Sequence, residues 1–223
     1  MKLLSRANTK TMKGEKFGYI TFILHLAPYN LSGYQVCPNA TTCIASCLNS
    51  AGRGRFDSVQ SARIRKTRYF SEKRDAFMVD LFGDVKRAIK YAKKRGLIPV
   101  FRLNGTSDIP WEKIRIKDYR NIFEAFPYVT FYDYTKIQGR KTPENYKLTF
   151  SFDGLNVKAA KNALENGQNV AAVFDTLPRE FLGYPVIDGD ISDLRVLDNP
   201  GSIVGLKAKG KAKNDFSGFV VRA

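Results

Sequence analysis

The chain has 223 residues, 43% of them hydrophobic, with 37 Lys and Arg against 21 Asp and Glu and a formal charge of +16. That length suffices for one domain with a sizeable core, and the apolar fraction is ordinary for a globular chain. No apolar run approaches the ~20 residues of a membrane helix, the basic N-terminal stretch (Lys2, Arg6, Lys10, Lys13) lacks an apolar signal core, and an odd, clustered set of three cysteines argues against a secreted disulfide framework. A cytoplasmic protein is expected.

In chain order, residues 17–29 read as an apolar strand that carries His25, the only histidine. A polar, glycine-containing loop over about 30–55 holds the cysteines. From about Ser58 the pattern turns helical and basic. Between Asp75 and Arg95, Met78, Leu81, Phe82, Val85, Ile89 and Ala92 recur at helical spacing, and Gly96 stops the helix. Short apolar runs ending in polar residues then repeat: 99–103, 128–132, 147–150, 169–174, 184–187 and 202–206. A regular helix is expected over 156–166, capped by Asn156 and closed by Gly167, and a less regular one over 111–126. Strands alternating with helices predict a largely parallel α/β sheet, a full or partial (β/α) barrel with its site at the C-terminal strand ends; a doubly wound open sheet is the alternative. With no internal repeat and no linker, residues 1–223 read as a single domain.

The three cysteines fall within eleven residues, Cys37, Cys43 and Cys47, spaced Cys-x5-Cys-x3-Cys. Thiolate-rich, histidine-poor sets suit iron–sulfur clusters, and three thiolates can hold three irons of a [4Fe–4S] cluster while leaving the fourth open. Zinc would need a fourth ligand, His25 or a carboxylate. The bland alternative is that the cysteines are small buried hydrophobes.

Between Arg53 and Arg95, fourteen Lys or Arg face five acids. A polyanion, nucleic acid first, is the expected partner, with Arg53, Arg55, Arg63, Lys66 and Arg68 interleaved with Tyr69 and Phe70; a solvated basic helix is the plain alternative. Asp188, Asp190 and Asp193 form an acidic turn that could hold Ca²⁺ or Mg²⁺, although the full calcium-loop pattern is missing. Lys207, Lys209 and Lys211 suggest an anion contact without matching a phosphate loop.

Two resemblances follow from these residues. The triplet after the first strand, Arg102-Leu-Asn-Gly-Thr-Ser-Asp108 after the second and Ser151-Phe-Asp-Gly154 after the fourth resemble small radical S-adenosylmethionine proteins. The usual spacing there is Cys-x3-Cys-x2-Cys, and Ser46 stands where a hydrophobic or aromatic residue is usual. This likeness implies an enzyme in which S-adenosylmethionine meets the open iron, with Asn104, Gly105, Thr106, Ser107 and Ser151 as cofactor contacts. Asp108, Asp133, Lys136, Asp153 and Asp175 would line the substrate side. The stretch Cys37 to Arg68, with Ala51-Gly-Arg-Gly54 and Ala62-Arg63, together with Arg102 to Asp108, is similar to the bacteriophage "gene product 88" family. That likeness implies a viral source and supplies no activity. A non-enzymatic, metal-stabilised nucleic-acid-binding or host-interaction protein is the rival to the enzyme.

Overall fold

The computed structural model describes residues 1–6 and 13–222; Lys10 of the basic N-terminal stretch lies outside them. All seven strands expected from the apolar runs are present. They are β2 (Tyr19–Leu24), β3 (Ile98–Arg102), β4 (Thr130–Thr135), β5 (Tyr146–Ser151), β6 (Val170–Phe174), β8 (Tyr184–Asp188) and β9 (Ile203–Lys207). Three two-residue strands join them: β1 (Leu4–Ser5), β7 (Glu180–Phe181) and β10 (Val220–Val221). The described strands form one mixed sheet in the order β1-β2-β3-β4-β5-β6-β9-β8-β7, with β10 also paired to β6. Neighbours from β2 through β8 run parallel, and β1 and β7 flank them antiparallel. The hydrogen-bonded path does not close on itself. From β2 to β6 the order is sequential, without the reversal that marks a doubly wound sheet.

Side-chain alternation gives this sheet two faces. Ile20, Phe22 and Leu24 of β2 point to the helical side with Phe101 and Phe131. There they meet α1 (Asp57–Glu72) and α2 (Arg74–Lys94). Phe101 stacks between Phe22, at 5.4 Å, and Phe131, at 5.3 Å. Phe70, Phe77 and Trp111 pack edge and face over the same side. A second apolar cluster joins Phe150, Phe152, Val170, Phe174 and Ile203 to α4 (Val157–Glu165). The opposite, inner face is more polar: it carries Thr21, Arg102, Tyr132 and Tyr134, and Leu194 packs there with Val100 and Tyr132.

The helix expected over 111–126 is not continuous. Only a 3-10 turn at Trp111–Lys113 and a single turn, α3 (Ile122–Ala125), form. Between them Ile116 and Tyr119 make an isolated antiparallel bridge, and Lys117 takes a φ of +49°. The left-handed residue turns the chain back, which the apolar spacing alone does not reveal. Asn156 precedes α4 but does not cap it through its side chain; its Oδ1 accepts the Asp153 N–H and its amide donates to the Ser151 carbonyl. Gly96 and Gly167 end α2 and α4 with φ of +65° and +74°, as expected for glycine just past a helix.

Candidate functional site at the C-terminal rim of the sheet

Because β2 through β8 are parallel, the loops that follow them share one edge of the sheet. The loop after β2 holds the three cysteines and is stitched to its neighbours by side chains. Asn39 donates to the Lys136 carbonyl at 3.1 Å, after β4. Thr41 Oγ1 donates to Asp153 Oδ2 at 2.7 Å, and Thr42 Oγ1 to the Asp153 carbonyl at 2.6 Å, after β5. Ser46 donates to the Asp215 carboxylate. Gly54 approaches the Asn49 carbonyl so closely that a Cβ there would lie 2.6 Å from the oxygen.

The three thiols are free, and each is partly exposed. Cys37 Sγ accepts the Tyr29 N–H at 3.3 Å and lies 3.8 Å from the Thr106 carbonyl. Burial pushes its pKa up to about 11; the Tyr29 N–H opposes this, and Cys47, Asp108 and Cys43 add to it. Burial also raises the Cys47 thiol, against the Asn49 N–H, and Cys43 adds to the rise while Arg63 and Lys136 oppose it. Cys37 and Cys47 thus both lie in the field of neighbouring sulfurs, with Arg63 and Lys136 acting on Cys47. His25, on the inner face at the end of β2, is held neutral: burial first, then Arg63, Arg102 and Lys66, lower its pKa to about 3. Among the described residues, no three His, Cys, Asp or Glu side chains are grouped so that they could hold a metal ion. Backbone N–H groups are aimed at two of the three sulfurs, Tyr29 at Cys37 and Asn49 at Cys47.

The turn after β3 supports this loop from below. Asn104 is buried; its Oδ1 accepts from Ser107, the Ile109 N–H and the Trp111 indole, and its amide donates to the Ile109 carbonyl. Gly105 has no room for a side chain, since a Cβ would lie 2.5 Å from Ile23 and 2.7 Å from the Leu24 carbonyl. Thr106 Oγ1 donates to the Leu26 carbonyl at 2.5 Å. The polar side chains expected to meet a cofactor thus hydrogen-bond within the protein, and what this turn presents to Cys37 is the Thr106 carbonyl. Ser151 is half-buried at the rim, 3.5 Å from the Lys136 ammonium.

The acids expected on the substrate side separate. Asp108 accepts the Lys136 N–H at 2.7 Å and pairs with Arg140, and Asp153 holds the cysteine loop. Asp133 is not on the rim. It is fully buried on the helical side, accepting the Leu103 and Asn104 N–H groups and the Tyr146 hydroxyl. Burial drives its pKa up to about 7, against Arg102, those two N–H groups and Tyr146. Asp175 lies 3.6 Å from Arg222 near β10. The acidic turn is not a cation cradle: Asp190 takes Lys209 at 2.7 Å, Asp193 takes Arg102 at 2.6 Å, and Asp188 accepts the Asp190 N–H.

In the basic stretch, Arg63 donates to Asn49, Lys66 to the Leu3 carbonyl and Arg68 to the Ser32 carbonyl. Two of the expected phosphate ligands, Arg63 and Lys66, are therefore half-buried structural donors. Phe70 is core, as its contacts with Phe77 and Trp111 show, and Tyr69 donates to Asp80.

The model of the family described as gene product 88 matches residues 2–223 of this sequence. The chain belongs to the gene product 88 family. This is the bacteriophage family that the cysteine stretch and the Arg102–Asp108 turn resemble. No curated protein and no solved structure matches the chain. Among the described residues of this family member, no helix is long and apolar enough to cross a membrane.

Proposed function

We propose that this member of the family is an iron–sulfur protein whose Cys37, Cys43 and Cys47 bind a [4Fe–4S] cluster, and that its chemistry is radical-S-adenosylmethionine-like. The observation that carries the reading is the placement of three free thiols on the loop after β2, at the edge where the parallel strands end. The sequential β2-to-β6 order supports a partial barrel, an architecture that gathers its site at that edge. A bound cluster of this type supplies a reducing electron and an iron free for a chelating ligand.

The chain's own residues account for the rest. The Tyr29 and Asn49 N–H groups donate toward Cys37 and Cys47, stabilising sulfur charge. Arg63 and Lys136 offset the negative charge of a thiolate set. His25, held neutral, can hold a hydrogen bond without adding charge. Thr41, Thr42, Ser46 and Asn39 fix the loop to the strand ends, so that the thiols are positioned before a ligand arrives.

The deciding experiment is iron and sulfide analysis, with an absorption spectrum, of protein purified without oxygen. A brown protein with about four irons per chain, turned colourless by Cys43→Ala, is expected. A colourless, zinc-loaded wild type would overturn the reading. Addition of S-adenosylmethionine to the reduced protein should change its electron paramagnetic resonance signal; an unchanged signal would leave an iron–sulfur protein of a different class.

A second reading, nucleic-acid binding, draws support from α2. Lys86, Arg87, Lys90, Lys93 and Lys94 are exposed on its outward side, opposite the buried Leu81, Val85, Ala88 and Ala92. Asp84 pairs with Arg87, and no acid lies between Asp84 and Arg95 to balance the four lysines. Lys93 and Lys94 also suit the helix C-terminus, but Lys86, Arg87 and Lys90 lie a turn or more away from it.

A further inference from the structure

The inner face of the sheet carries a set of buried donors that the cysteine loop does not use. Arg102 ends β3, Tyr134 lies on β4, and residues 189–198, the segment after β8, lie over both. Leu194 of that segment packs with Val100 and Tyr132, and Lys13 ties it down through the Asp190 carbonyl at 2.8 Å. Arg102 Nη1 donates to Asp193 Oδ2 at 2.6 Å, and its guanidinium sits 5.0 Å from the Tyr134 ring centre. Arg195 is only 6% exposed; its Nη2 donates to the Ser192 carbonyl and its Nε lies 3.2 Å from Asp198 Oδ2.

Four donors from three different segments remain buried without a hydrogen-bond partner: Arg102 Nε, the Tyr134 hydroxyl and Arg195 Nε and Nη1. Arg102 links the segments, since it lies over the Tyr134 ring and pairs with Asp193, two residues before Arg195, which in turn pairs with Asp198; burial first, then Asp193, raises the Tyr134 phenol against Arg195 and Arg102. A buried donor left unpaired is costly, and native proteins keep few of them without a use. Carboxylates stand near two of the four donors, Asp133 Oδ1 at 4.0 Å from Arg102 Nε and Asp198 Oδ2 at 3.2 Å from Arg195 Nε, which leaves the Tyr134 hydroxyl and Arg195 Nη1 without a hydrogen-bond acceptor; the covering segment supplies the Asp193 carboxylate to Arg102 Nη1. Gly189 fits beneath this segment for want of a side chain: a Cβ there would lie 2.5 Å from Val204 and 2.8 Å from Arg195 Nη1.

We propose that this inner face binds the acidic group, carboxylate or phosphate, of a small-molecule substrate, and that the Asp193 carboxylate is its internal stand-in on Arg102. The acidic group displaces Asp193 from Arg102 and accepts from Arg195 and the Tyr134 hydroxyl. The segment from Gly189 to Asp198 thereby covers the face until substrate enters. The proposal names a substrate class for the enzyme proposed above and rests on that reading.

The test uses the full chain, titrated with sodium phosphate and, separately, sodium acetate against sodium chloride at equal ionic strength, with binding read from the shift in unfolding temperature. Phosphate or acetate should stabilise the wild type beyond chloride; the stronger of the two identifies the acidic group. Asp193→Asn, which removes the competing charge, should tighten binding about tenfold. Tyr134→Phe, which keeps the ring and loses one donor, should weaken it about three- to tenfold. Stabilisation no greater than with chloride would overturn the proposal. So would an effect unchanged by Tyr134→Phe, which would indicate an adventitious ion only on this strongly basic surface. Should Asp193→Asn fail to fold, the Tyr134→Phe comparison decides alone. An iron-free wild type would defeat the cluster reading alone, and this titration, which needs no iron, would still judge the anion site by itself.

Discussion

Thr41 Oγ1 donates to Asp153 Oδ2 at 2.7 Å, joining residues 112 positions apart. Asp153 spends its other oxygen on the N–H groups of Leu155 and Asn156, so the same carboxylate shapes the turn into α4 and anchors the cysteine loop. Asp153→Ala should therefore lower cluster content more than it lowers stability. The expected result is a folded chain, by circular dichroism, that reconstitutes with less than half the wild-type iron. Thr41→Val, which loses only the link, should show a smaller fall in the same direction. Full iron loading in both variants would mean that the loop is held by its other contacts.

Gly105→Ala should be strongly destabilising although it adds one methyl. The new Cβ would lie 2.7 Å from the Leu24 carbonyl and 2.5 Å from Ile23, and backbone cannot step aside as a side-chain tip can. A loss of about 1–3 kcal/mol in urea unfolding is expected from such overpacking. Gly139→Ala serves as the contrast; nothing lies within 4 Å of a Cβ there, but its φ of +64° adds about 1 kcal/mol of backbone strain.

Asp133 gives a pH dependence with a definite sign. Its folded pKa, raised to about 7 by burial, lies above the ordinary carboxylate value of 3.8. The folded state therefore binds the proton more tightly than the unfolded state. This contribution is fully present below about pH 4 and declines as pH rises toward 7. Asp133→Asn should flatten that part of the stability profile, measured by denaturant unfolding at several pH values. A profile still falling by the same amount would assign the slope to another group. Asp133→Ala, by leaving the Leu103 and Asn104 N–H groups without their acceptor, should cost about 1–3 kcal/mol at any pH in this range.

The α2 surface makes a separate forecast. Reversing Lys86, Lys90 and Lys93 to Glu should weaken binding to a single-stranded oligonucleotide and flatten its dependence on salt, because each lost phosphate contact releases fewer counterions. Charge reversal at Lys66 would instead disturb its hydrogen bond to the Leu3 carbonyl and register as lost stability. Binding that is indifferent to salt between ~50 and ~200 mM would remove nucleic acid from the list of partners.

The parallel strands were legible because each is an apolar run with a turn signal behind it, and parallel sheets bury both faces. The rim was legible for the same reason: polar residues after each run must gather at one edge. The uses of those residues were not. Asn104 reads as a ligand in the sequence, yet its side chain folds its own turn, a local competition that spacing cannot rank. Asp133 reads as a rim acid, but alternation along β4 places it opposite Tyr132 and Tyr134, on the helical side. Arg63 and Lys66 read as surface charge until the Asn49 and Leu3 acceptors come into place from elsewhere in the chain. The Arg102–Asp193 pair had no sequence signal at all beyond an Arg at a strand end, since its partner lies 91 residues on.

The sheet branches at β6. Val170 and Ala171 pair with β5, whereas Val173 and Phe174 pair with Val220 and Val221 of β10. Just before β10, Asp215 holds Ser46, one residue from the last cysteine. During synthesis Cys47 leaves the ribosome some 170 residues ahead of the acid that steadies its loop. The thiols therefore wait through most of translation without that support. The support for this loop is complete only once the chain has been made through β10, so the order of synthesis sets when the thiols are held in place.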